Sequence, residues 1–330
     1  MVGRGNKPSA LAATPGLAPQ PTVTFSSDNS RVTAELPTGE SVEILLYGAT
    51  VISWKDSKGD EKLWVSSAAK LDGTKAVRGG IPLVFPVFGP PPASGHPTSS
   101  LPQHGFARTS VWEFLGKSTS ESNPTSGDAS GSANAADLSV KLDFGLSAAS
   151  LTAEVRELWP YKFNLIYSVT LNRENLTTSL VVTNDDDKPF ESQVLLHTYL
   201  RVNDISSVSI SGLASSTYID KVANASVGTQ TADTLSIASE TDRVYTTPNG
   251  ASDVVTVSEG GKTRYTVARD NLLNVVVWNP WTEKAAGMGD FEPKEGYKNM
   301  LCIEPGSVGT WQTLEPGDAF EGAQTITIPL

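Results

Sequence analysis

Only three histidines occur in the 330 residues, so each can be weighed as a proton carrier. His197 lies inside Gln193-Val-Leu-Leu-His-Thr-Tyr-Leu200. Strand alternation puts Gln193, Leu195, His197 and Tyr199 on one face, and Val194, Leu196, Thr198 and Leu200 on the other. Both faces are largely apolar, which marks a central strand. A titratable group there needs a satisfying partner or a function, and both readings stay open. Glu304 poses the same question. It follows Asn299-Met-Leu-Cys-Ile303 and precedes Pro305-Gly306, so Cys302 and Glu304 share one face, Leu301 and Ile303 the other. The pattern ends a buried strand at this carboxylate, before a Pro-Gly turn. Glu304 is then either tied to an arginine or a general base with an environment-tuned pKa. His96, in Pro90-Pro-Pro-Ala-Ser-Gly-His-Pro97, is expected in a solvated loop. His104, in Leu101-Pro-Gln-His-Gly-Phe-Ala-Arg108, braces a loop or faces a ligand.

Two segments could receive an anion: Arg78-Gly-Gly-Ile-Pro82 and Gln103-His-Gly-Phe-Ala-Arg108. Glycines let backbone N–H groups approach a ligand, and arginine adds a planar cationic fork. Each arginine could equally serve an ordinary ion pair. Trp278-Asn-Pro-Trp281 offers aromatic surface suited to a sugar face or to core packing. No C-x-x-C or H-E-x-x-H spacing occurs, so neither a metal nor a cofactor is expected. No G-x-S-x-G elbow, Walker loop or G-x-G-x-x-G after a strand is present. A His/Glu acid–base pair is available, whereas a two-carboxylate pair of the glycosidase kind is not.

The elements that must position these groups are strands. Short runs bounded by turn residues recur from Thr22–Phe25 through Phe163–Leu171 and Leu176–Thr183 to Thr325–Ile328. Sustained helical periodicity is almost absent. The fold class is therefore all-β, a large antiparallel β-sandwich. Residues 22–330 read as one domain. Residues 1–21 read as a disordered leader, and Ser118 to Asp137, rich in Ser, Gly, Asn and Ala, as a flexible surface insertion. With 25 Lys and Arg against 36 Asp and Glu the net charge is −11. That disfavours nucleic acid and anionic membrane surfaces as partners. A few converging arginines could still hold a small anion. The single Cys302 cannot form an intramolecular bridge, which fits a reducing compartment. With no apolar run near the roughly 20 residues of a membrane span, the expectation is a cytoplasmic monomer.

The run Tyr47-Gly-Ala-Thr-Val-Ile-Ser-Trp54 resembles the opening of the aldose 1-epimerase (mutarotase) superfamily. The stretch LWVSSAAKLDGTKAVRGGIPLVFPVFG (Leu63 to Gly89) narrows the likeness to its glucose-6-phosphate 1-epimerase branch. LPQHGFAR, LLHTYLRV, VVWNPW, MGDFEP and CIEPG do the same. The resemblance covers residues 22–330 apart from the Ser-rich insertion. It implies a sandwich of the galactose-mutarotase type and a hexose 6-phosphate as the small-molecule substrate. It implies His197 and Glu304 as the acid–base pair and Arg78 and Arg108 on the phosphate. Gln103 and Asp242 would contact the sugar, with His104 beside them. On this reading Glu304 takes the proton from the C1 hydroxyl while His197 protonates the ring oxygen. The two side chains would converge across the sandwich.

Overall fold

The computed structural model describes residues 19–119 and 138–329. The expected leader, apart from residues 19–21, and residues 120–137 of the expected insertion lie outside the described residues. The regular structure is overwhelmingly antiparallel strand, and the side-chain period explains why. In Asn175–Asn184 (NLTTSLVVTN), Leu176, Thr178, Leu180 and Val182 are buried while the residues between them are partly exposed. β-branched residues fit such a pleated, half-buried surface. Phe163–Leu171 forms over the range its sequence predicts.

Among the described residues the strands form three sheets. Thr22–Phe25, Arg31–Glu35, Ser41–Leu45 and Thr50–Lys55 form a four-stranded meander. A nine-stranded sheet runs from Thr234–Leu235 at one edge to Glu113–Thr119 at the other, with Ala319–Thr327 and Asn175–Asn184 at its middle. An eight-stranded sheet has the order Ser226–Thr229, Thr217–Asp220, Thr241–Thr246, Asn274–Asn279, Met300–Leu314, Phe190–Leu196, Leu83–Val84. Tyr199–Arg201 also pairs with Met300–Leu314. One apolar cluster joins Val275, Val277, Leu301 and Ile303 of the eight-stranded sheet to Leu165, Val169, Leu180 and Val267 of the nine-stranded sheet. This is the sandwich core. The other face of the eight-stranded sheet carries a second cluster, with Trp64, Leu195, Tyr199, Val276, Trp278, Met300 and Cys302. Loops and the short helix Trp281–Gly287 pack over it. Helices are few, and none among the described residues is long and apolar enough to cross a membrane.

Several local expectations are corrected. Pro305-Gly306 is not a turn: Met300–Leu314 is one strand, in which Pro305 pairs with Val275 and Gly306 with Asn274. Glycine is required there by a close approach, since a Cβ on Gly306 would lie 2.8 Å from the Val194 carbonyl oxygen. The run Glu191–Val202 is split, with His197 and Thr198 between two strands. Lys62–Val65 makes only isolated bridges, Leu63 to Leu200 and Val65 to Gly79. Ser118 and Thr119 belong to a strand, paired with Lys141 and Val140. The strands Thr217–Asp220, Ser226–Thr229 and Thr241–Thr246 escape sequence detection because Ser, Thr and Asp dilute their apolar pattern.

Candidate active site

His197 and Glu304 do not meet across the sandwich. They belong to neighbouring segments of the eight-stranded sheet and project from its outer face. The register Tyr199 to Cys302 fixes this: two residues back from Tyr199 and two on from Cys302, alternation returns to the same side. His197 Nδ1 lies 3.4 Å from Glu304 Oε1 and 3.9 Å from Cys302 Sγ. All three residues are buried. Tyr199 stacks on the His197 ring at 4.7 Å and 9°, and Trp278 meets it edge-on at 6.0 Å. The imidazole is thereby held in one orientation. The arginine partner expected of a structural Glu304 is absent among the described residues, and its Oε2 is buried without a hydrogen-bond partner.

Above this floor is a cavity of about 250 Å³. Pockets for drug-sized ligands run to about 300–1,000 Å³, so this one suits a single small polar molecule. Arg78, Gln103, His104, His197, Asp242 and Glu304 all line it. Six of the seven residues singled out from sequence thus converge. Arg108 stands just outside the lining, its Nη2 donating to the Gln103 carbonyl at 2.9 Å. Arg78 is already engaged: Nε and Nη2 reach Asp290 at 3.2 and 3.1 Å, and Nη1 donates to the Tyr199 hydroxyl at 3.2 Å. That leaves some of its five N–H donors for a ligand. The adjacent glycines are not a ligand cradle. Gly80 N–H donates to the Trp64 carbonyl at 2.8 Å, and with φ +69° a Cβ there would fall 2.1 Å from Val51 O. They let the chain that carries Arg78 pass tightly beneath its neighbours.

The remaining histidines separate. His104 is buried. Its Nδ1 accepts from Gly89 N–H at 3.1 Å, and its backbone N–H donates to Gly89 O at 3.0 Å, so it both braces a loop and faces the cavity. His96 is not merely solvated: it stacks on Trp311 at 3.9 Å and bonds Thr98 Oγ1 at 2.8 Å. Among the aromatics, Trp278 lines the cavity while Trp281 packs on Tyr297.

Lys221 and Lys284 also line the cavity and have no motif to announce them. Lys221 Nζ lies 3.5 Å from Asp242 Oδ2 and 4.5 Å from the Phe88 ring centroid. Lys284 pairs with Glu240 at 2.8 Å. A chain of net charge −11 therefore presents Arg78, Lys221 and Lys284 around one small cavity. Tyr199, which stacks on His197, did have a local signal, its place on the His197 face.

The charges at the floor follow from burial. Burial pushes the His197 pKa well below its ordinary value, helped by the nearby His104, Arg108 and Arg78 charges. Burial pushes Glu304 well above the carboxylate range, with the Asp242 carboxylate adding to the rise. Cys302 is raised likewise, by burial and then by Glu304. Low dielectric thus favours neutral imidazole and carboxylic acid over the ion pair. The two states hold the same number of protons and differ only in where one proton sits. Such a pair can deliver a proton at one atom while accepting one at another. His197, Cys302 and Glu304 also offer three donor atoms within 4.8 Å of one another, a possible metal ligand set.

The sequence pattern of the aldose 1-epimerase family matches residues 30–327. A protein of Cenchrus ciliaris named "Putative glucose-6-phosphate 1-epimerase" is 35% identical over 283 residues, covering 85% of this chain and 79% of that one. An Escherichia coli K12 protein of the same name is 33% identical over 283 residues, 86% and 85% of the two chains. The crystal structure of a "putative mutarotase" from Salmonella typhimurium superposes with a TM-score of 0.76 at 28% identity, over 94% of each chain.

Proposed function

The chain belongs to the aldose 1-epimerase family, and from that premise we propose that it interconverts the α and β anomers of glucose 6-phosphate. The observation that carries this reading is the His197–Glu304 pair, 3.4 Å apart at the floor of a cavity bordered by Arg78, Lys221 and Lys284.

Anomer exchange requires opening the hemiacetal. One group removes the proton from the C1 hydroxyl, another protonates the ring oxygen, and the C1–O5 bond breaks. The aldehyde rotates about C1–C2, and reclosure with the proton transfers reversed gives the other anomer. In this reading Glu304 is the base at O1 and His197 the acid at the ring oxygen. Burial favours the neutral pair. Burial is the chief cause of the low His197 pKa, and a phosphate dianion offsets only the smaller Arg108 and Arg78 contributions, which shifts the pair toward imidazolium and carboxylate. Arg78 and Arg108 bind the phosphate, since a guanidinium can give two parallel hydrogen bonds to its oxygens. Gln103, His104 and Asp242 hold the sugar. Residues 22–330 work as one domain in this scheme.

The test starts from a single anomer of glucose 6-phosphate and follows its relaxation by NMR or polarimetry with catalytic enzyme, beside glucose and galactose. Acceleration greatest for the phosphorylated sugar is expected, and none with any sugar refutes the reading. Arg78→Ala and Arg108→Ala should each slow the 6-phosphate by roughly 10- to 100-fold, as loss of a charge-assisted hydrogen bond does. Free glucose should be affected less; equal losses on both would contradict the phosphate assignment.

A further inference from the structure

We propose that His197, Cys302 and Glu304 form a binding site for a thiophilic divalent cation of the zinc class, and that its occupation shuts the pocket off. The proton-transfer scheme leaves Cys302 without a task, although it is wholly buried against both members of the pair. The fold brings together a ring nitrogen, a sulfur and a carboxylate. Nδ1 is 3.4 Å from Oε1 and 3.9 Å from Sγ, and the three donors lie within 4.8 Å of one another. Zinc bonds of about 2.0–2.3 Å in a tetrahedron give donor–donor edges of roughly 3.3–3.6 Å. The Nδ1–Oε1 and Nδ1–Sγ edges lie within a few tenths of an ångström of that geometry, whereas the third edge, up to 4.8 Å, needs the Cys302 and Glu304 side chains to close by about 1 Å.

A further observation points to a ligand. Glu304 is 1% exposed and its Oε2 has no hydrogen-bond partner, so a buried oxygen lacks the contact that such groups ordinarily make. The parallel Tyr199 ring sets the plane of the His197 imidazole, so a cation held by its Nδ1 would lie in that plane. An ion would enter through the cavity, because His197 and Glu304 both line it. Sulfur with imidazole selects zinc-like ions over magnesium or calcium.

Charge balances on loading. The empty floor is a thiol plus a His/Glu pair sharing one proton, and is neutral. Binding M²⁺ releases the thiol proton and the shared proton to solvent. It leaves thiolate, carboxylate and neutral imidazole around the ion, again neutral. No net charge is buried, which removes the main electrostatic obstacle to an ion at this depth. The bound ion occupies the imidazole nitrogen and the carboxylate, so the pair can no longer pass a proton. That consequence rests on the roles proposed above; the site itself does not.

The experiment titrates the full metal-free chain with cobalt(II), then zinc, and measures turnover in parallel. Cobalt should produce a near-ultraviolet thiolate-to-metal absorption that zinc displaces and that Cys302→Ala and Cys302→Ser lack. Zinc should stop turnover of the unmodified chain, and a chelator should restore it. Each variant is compared with its own metal-free rate. Their zinc affinity should fall by more than the roughly 100-fold that a merely supporting residue contributes. Cobalt binding without the thiolate band, or zinc inhibition undiminished in both variants, overturns the site. A thiolate band that zinc displaces, with turnover untouched, upholds the site and refutes instead the roles given to His197 and Glu304.

Discussion

Thr198 and His197 are neighbours in the chain and point to opposite faces of the same sheet, into two buried polar clusters built on different rules. On the core side, Gln324 Nε2 donates to Thr198 Oγ1 at 2.8 Å and to Thr178 Oγ1 at 3.2 Å. All three residues are fully buried, neutral and hydrogen-bonded. On the outer face His197, Cys302 and Glu304 are also buried, but every one is titratable, their contacts are 3.4 and 3.9 Å, and one carboxylate oxygen has no partner. A satisfied neutral network braces a core. An unsatisfied ionisable one costs stability and persists where a ligand or a reaction completes it. The two clusters teach that depth of burial does not separate structure from function; satisfaction and charge do.

The largest effect should come from breaking the outer cluster. His197→Asn or Glu304→Gln is expected to remove at least the roughly 10²–10⁴-fold that positioned proton transfer supplies, with the fold retained. Full activity in either purified variant removes that residue from the mechanism. The inner cluster should respond in the opposite way. Gln324→Leu removes the amide that bridges the Thr178 and Thr198 hydroxyls and should cost about 1–3 kcal/mol in denaturant unfolding, with turnover per folded molecule close to normal.

A smaller effect sharpens the contrast further. Glu304→Gln should raise stability by on the order of 1 kcal/mol at neutral pH, because the folded state must hold the Glu304 proton that the unfolded chain releases. Its sign with pH can be worked out. Glu304 keeps its proton in the folded state, whereas the unfolded chain releases it above about pH 4.3. The folded form's advantage therefore erodes as pH rises from there through the folded pKa, and the variant's gain should grow over the same window. His197 and His104 are shifted downward. Their contribution is present above about pH 6.5 and lost as pH falls toward the folded values. His197→Asn should flatten part of that acid-side decline. The Gln324→Leu deficit should not vary with pH, since nothing in the inner cluster titrates. Thermal unfolding of the variants across pH 4–9 would decide this, and a pH-independent difference for Glu304→Gln would contradict the raised carboxyl.

Much of the site was legible in the primary structure because strand alternation is local. It set His197 beside Tyr199 and Glu304 beside Cys302, each on a defined face, without reference to any other strand. The all-β class followed from the same short-range pattern. Alternation cannot say which faces meet. Pairing Tyr199 with Cys302 joins residues about a hundred positions apart, and that register made one site of two suspicious residues. It also kept Pro305-Gly306 extended where local rules ask for a turn. Lys221 and Lys284 were invisible because a lysine in a turn or a short helix carries no positional signal; only the packed chain brings them to the cavity. Chain chemistry thus determined the strands and the identity of the reactive groups, both short-range properties. Register and layer order, fixed by burying apolar faces against distant partners, decided which of those groups share a pocket and which proton states burial imposes on them.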